Sequence, residues 1–157
     1  MTPRQGICPA PGFCMRGCDM DVFYKDTVTI YNRYEDKASC TEHWYPTVLQ
    51  EVRLLITKGA NVAKTGLNSA DRASMHISTE KALEKPYKKP KEWLETADKS
   101  GAFTFGESDF FVEGDTSAED TAQDDFAEYM KRKYDNCFQV TMVDAYTLIP
   151  HLEVGGK

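Results

Sequence analysis

Asp26-Thr27-Val28-Thr29-Ile30-Tyr31-Asn32 is rich in β-branched and aromatic residues and alternates in character along its length. Val28 and Ile30 fall on one side, and Thr27, Thr29 and Tyr31 on the other, which is the two-residue period of a half-buried strand. A polar, turn-like segment, 33–39, follows. His43-Trp44-Tyr45-Pro46-Thr47-Val48-Leu49-Gln50-Glu51-Val52 then resumes the strand character, so the pair reads as an antiparallel hairpin. Nothing in it is chemically reactive; it reads as scaffold.

Working outward, Val48 to Ile56 continues as a mostly apolar run, with a bulge expected where alternation breaks at Leu54-Leu55-Ile56. Residues 72–77 alternate again, placing Ala73, Met75 and Ile77 on one face and His76 on the solvated one. Short strands are expected at 103–105 and 109–112, and longer ones at 137–143 and 149–154. One helix is expected from about Ser117 to Tyr134. Ser117 would cap it, Glu119 and Asp120 would suit its positive end, Lys131-Arg132-Lys133 would suit its negative end, and Phe126, Tyr129, Met130 and Tyr134 would form its buried stripe. The sum is a mainly β protein: a small antiparallel barrel or sandwich of six or seven strands with one α-helix late in the chain. Val28, Ile30, Val48, Val52, Met75, Ile77, Val140, Met142 and Val154 are expected to line its core.

At 157 residues there is room for one ordinary domain, assigned to 20–157, behind an N-terminal arm at 1–19. A net charge of −6 disfavours a dedicated nucleic-acid binder, which needs a basic face. No apolar run approaches the ~20 residues that span a bilayer, and the start lacks a signal-peptide core. A reducing cytoplasm with free thiols is the expectation.

The arm carries Cys8, Cys14 and Cys18 among prolines and glycines, a composition for extended and turn conformations. With Cys40 or His43 as a fourth ligand these thiols would make a tetrahedral zinc site. The spacing argues against one: five residues lie between the first pair, three between the second, and there is no Cys-x-x-Cys. An arm docking on a neighbouring chain is the reading preferred, with no cofactor.

Two long loops are expected, at 57–71 and 78–101. The second holds a basic cluster of Lys81, Lys85, Lys88, Lys89 and Lys91 with Tyr87 and Trp93 interleaved, diluted by four glutamates. The glycine after Lys64-Thr65 is on the wrong side for a phosphate loop. His43, His76 and His151 lie on separate predicted strands and share no metal spacing, and no nucleophile elbow occurs. No group of residues has a catalytic division of roles, so an enzyme is not expected.

The chain resembles small proteins of the head–tail joining region of long-tailed phages, the head-completion or stopper family. The residues that carry the resemblance are Asp26 to Asn32 with Trp44 and Thr47-Val48-Leu49, Gly59 through Ala70-Asp71, Phe103-Thr104, Val112-Glu113-Gly114-Asp115, and the ending His151-Leu152-Glu153-Val154-Gly155-Gly156-Lys157. It covers about residues 20 to 157. The resemblance implies a small β-barrel with an attendant helix, assembled as a homo-oligomeric ring in the virion neck after synthesis in the host cytoplasm. Adaptor and portal proteins would sit above it, tail proteins below, and genomic DNA would pass through without sequence-specific binding and without a membrane. One inter-strand loop would reach the channel; 57–71, with Gly59, Asn61, Lys64 and Gly66, is assigned that part. Lys81, Lys85, Lys88, Lys89, Lys91 and Trp93 are assigned to gripping an acidic neighbour. A tail terminator of the same particle, or a non-viral binding module, is the alternative.

Overall fold

The computed structural model describes residues 23–63, 66–80 and 83–157. Strand β1 (Asp26–Asp36) pairs antiparallel with β2 (Thr41–Thr57), and the ladder runs from Val28 opposite Leu49 to Asp36 opposite Thr41. The predicted hairpin is therefore present and longer than expected, since 33–36 and 41–42 belong to the ladder and the turn shrinks to 37–40. The next strands are β3 (Ala60–Ala63), β4 (Gly66–Ser69) and β5 (Arg72–Ser78). Helix α1 (Pro90–Glu95), β6 (Phe110–Glu113), helix α2 (Phe126–Lys133), β7 (Cys137–Tyr146) and β8 (His151–Gly156) follow.

Six of these strands close into an antiparallel barrel in the order β1-β2-β5-β8-β7-β6, and β3 with β4 form a separate two-stranded sheet. Closure leaves no unpaired barrel edge. The interior holds Val28, Ile30, Leu49, Val52, Met75, Ile77, Phe111, Phe138, Val140, Leu152 and Val154.

Two residues predicted for the core point the other way, and bulges explain both. On β2, Glu51 has a positive φ of 53°, and between Leu49 and Val52 the strand carries one residue more than β1 does opposite it. The extra residue flips the inward phase from Thr47 and Leu49 to Val52, so Val48 is only half-buried. The bulge thus lies at 50–51, not at the predicted 54–56. On β7 an extra residue between Val140 and Met142 has the same effect and turns Met142 outward.

β1 is buried on both faces. Behind the barrel wall Tyr31, Trp44, Phe110 and Val112 make a second apolar cluster, closed over by Phe126 and Met130 of α2. Tyr31 stacks on Phe110 with centroids 4.9 Å apart and meets the edge of Phe126 at 5.1 Å.

Helix α2 is much shorter than predicted. Asp115 accepts from the Ser117 amide and hydroxyl, and Asp120 from the Ala122 amide, so local side-chain turns replace the first expected helical turns. Ser117 is no cap. Glu119 reaches the far end of the helix instead, taking bonds from Lys133 and Tyr134 at 2.6 Å each. The basic last turn is as expected.

The 78–101 stretch is not a free loop either. Leu83 and Tyr87 pack on the barrel core with Phe103 and Phe105, and Tyr87 bridges to Phe103. α1 and a single 3₁₀ turn at Lys99–Gly101 follow.

Candidate functional site

β2 and β5 pair up to Thr57 opposite Arg72, yet fourteen residues, 58–71, lie between those two positions. Most of them form the β3–β4 hairpin, laddered from Ala60 opposite Ser69 to Ala63 opposite Gly66. Its root is tied by Ala70 N–H to the Gly59 carbonyl at 2.8 Å and by Gly59 N–H to Asp71 Oδ1 at 3.0 Å. The predicted loop is therefore a two-stranded arm. Gly59 has no positive φ and is bonded through both its carbonyl and its N–H, so it anchors the root of that arm. Asn61 and Gly66 are ladder residues; Lys64 lies outside the described residues. Val62, on the arm, is 86% exposed.

A second grouping was invisible in the sequence. His76 on β5 stands directly opposite Glu153 on β8, and His151 opposite Ser78. All three side chains lie on the outer face, alternating with inward Met75, Ile77, Leu152 and Val154. One donor atom from each of His76, His151 and Glu153 lies within 4.8 Å of the others, and all three residues are half-buried. The His151 Nδ1 is 2.7 Å from the Ile149 carbonyl, and Tyr146 stacks on the His151 ring at 4.6 Å and 8°. The three histidines lie on separate strands, as expected, and no spacing in the sequence joins them. The β5–β8 register, joining positions more than seventy residues apart, brings His76 and His151 together.

Residues 23–157 match the family described as "Family of unknown function (DUF6751)". The chain belongs to DUF6751. No curated protein and no solved structure matches it.

In this DUF6751 chain the basic cluster does not form one surface. Lys85 donates to the Pro46 carbonyl at 3.2 Å and Lys88 to Thr96 Oγ1 at 3.0 Å, both half-buried, while Lys89 and Lys91 are exposed and Lys81 lies outside the described residues. Trp93 is 1% exposed, with its indole N–H on the Ala102 carbonyl at 3.1 Å and edge contacts to Tyr34 and Tyr45. It is a core residue, with no surface to offer the acidic neighbour expected of it. Cys40 is exposed at the β1–β2 turn; Cys8, Cys14 and Cys18 lie outside the described residues.

The outer faces of the DUF6751 barrel differ in cover. α2 covers the β1–β2–β6 side. On the β2–β5–β8–β7 side the row Leu55, Ser74, Gly155, Met142 crosses four strands, with Leu55 and Met142 exposed. The β7–β8 turn adds Leu148, 96% exposed, and Ile149, 58% exposed. Among the described residues no helix is long and apolar enough to cross a membrane.

Proposed function

We propose that this chain is a structural subunit of a phage neck, of the head-completion or stopper kind. It would form a homo-oligomeric ring between portal and adaptor above and tail below, retaining packaged DNA and presenting the tail-docking surface. The observation that carries this reading is the β3–β4 arm. A closed barrel that keeps β2 and β5 paired while sending a two-stranded arm out from between them has a rigid body for ring packing and one element free to reach an axis. The β2–β5–β8–β7 face, which no helix among the described residues covers and on which Leu55 and Met142 are exposed, supplies apolar area for a neighbouring subunit. The net charge of −6 suits a channel through which DNA passes without adhering.

The roles divide differently from those expected of the loops. Lys89 and Lys91 remain as exposed cations for an acidic neighbour, and Trp93 has no part in it. Excising 60–69 tests the arm: Gly59 and Ala70 are already hydrogen-bonded, so a tight turn closes the gap. The variant should fold and enter particles, and filled heads should lose DNA. Heads that keep their DNA but fail to join tails would shift the assignment to a tail terminator. A variant that changes neither step would leave the binding-module reading.

A further inference from the structure

The neck reading makes no use of the His76, His151 and Glu153 group. We propose that these three side chains bind a divalent transition-metal ion, zinc by preference, which clasps β8 to β5. Two imidazoles and a carboxylate are a zinc donor set that leaves a fourth position for water, and the half-exposed setting leaves room for that water. The backbone is already arranged for it. His76 and Glu153 are directly opposed in the ladder, and His151 lies two residues from Glu153 on the same face.

With metal–ligand bonds of ~2.0–2.2 Å, tetrahedral donors sit ~3.3–3.5 Å apart. Side-chain torsions therefore have to draw the donors together by about 1.4 Å from their 4.8 Å limit, with both strands fixed.

The surroundings prepare His151 in particular. A proton on Nδ1, donated to the Ile149 carbonyl at 2.7 Å, leaves the Nε2 lone pair for the metal, and Tyr146 holds the ring plane. Ser74 Oγ lies 3.4 Å from both His76 Nε2 and Glu153 Oε1. The same cross-strand row ends in Arg53 opposite His76 and in exposed Asp144 opposite Glu153. The Arg53 guanidinium lies over the Phe23 ring at 5.5 Å, and Asp144 adds a second carboxylate. A bound ion would fix the start of β8, and with it the exposed Leu148–Ile149 turn.

The test uses the full chain, stripped with chelator and titrated with zinc chloride. One equivalent should bind through this group and raise Tm, and His76→Gln, His151→Gln and Glu153→Gln should each weaken that binding at least tenfold. His43→Gln, on an exposed side chain at the other hairpin, should change nothing. In the unsubstituted protein zinc should shift the imidazole NMR signals of His76 and His151 but not His43, a readout independent of how any variant folds. Binding should persist when Cys8, Cys14 and Cys18 are all serine, and cobalt-loaded protein should show d–d bands without thiolate charge transfer. Zinc that is lost with the cysteines, or zinc that leaves the His76 and His151 signals unmoved, overturns the proposal.

Discussion

Asn32 and Asp109, 77 residues apart in sequence, meet inside the protein: Asn32 Nδ2–H donates to Asp109 Oδ2 at 2.9 Å. The same carboxylate accepts from the Arg33 amide at 2.9 Å and the Gly106 amide at 2.7 Å, while the Asn32 amide also donates to the Thr104 carbonyl at 2.7 Å. This network fastens β1 to the 104–109 segment that leads into β6. It is a buried acid held by three N–H donors, and the donors do not fully offset its desolvation.

Replacing Asp109 by Ala leaves the Arg33 and Gly106 amides without their acceptor. The cost should be about 3 kcal/mol, read from urea unfolding. Asp109 also carries a pH signature. Burial pushes its carboxyl above the ordinary 3.8, against the pull of the bonds from Arg33, Gly106 and Asn32. Between 3.8 and that raised value the folded state holds more protons than the unfolded one, so stability falls as pH rises through the window. The stability gap between the unsubstituted protein and Asp109→Asn should therefore be larger in acid than near neutrality. A gap that stays flat or grows with pH contradicts this account of the site.

Gly156 is the close-packed point of the barrel. A Cβ built there would lie 2.7 Å from the Phe111 ring and 2.8 Å from Phe138 Cβ, and both rings are enclosed in the core. Gly156→Ala should destabilise by about 1–3 kcal/mol through overpacking. Gly59→Ala, whose Cβ would meet only Ala70 Cβ at 3.9 Å, should be close to neutral. Thermal unfolding of the two variants side by side checks the contrast.

The outer cluster makes its own prediction. Phe126 is enclosed by Tyr31, Trp44, Phe110 and Tyr129, so Phe126→Ala should cost about 3–5 kcal/mol. Tyr31→Phe removes the hydroxyl that donates to the Thr116 carbonyl at 2.5 Å and should cost about 1–2 kcal/mol. Burial also pushes the Tyr31 hydroxyl up to about 12, so it should stay protonated where exposed tyrosines ionise. Spectrophotometric titration of the tyrosines with and without Tyr31→Phe reads this directly.

How much of this was legible depended on range. Val28 and Ile30 alternate against Thr29 and Tyr31, so the hairpin and the barrel class could be read locally, and Phe126 and Met130 betrayed the buried face of α2. The bulges at 50–51 and 141 could not be read. Each is one extra residue in an unbroken strand, and each reversed the phase on which Val48 and Met142 had been placed. Asp120 looks like a helix-start charge because a carboxylate near a helix and one folded back on its own backbone share a sequence pattern. The lysine-rich stretch misled through composition: Trp93 was read by its charged neighbours, whereas its indole is enclosed. Grouping His76 with His151 and Glu153 required the β5–β8 register, which no local pattern encodes.

Cryo-electron microscopy of the assembled particle would locate these barrels outright. The expected density is a ring of these barrels below the portal and adaptor, with the β3–β4 arms, 60–69, directed to the channel axis and the β2–β5–β8–β7 faces against neighbouring subunits. Barrels at the end of the tail tube, arms directed away from the axis, or particles that lack the chain altogether would contradict it.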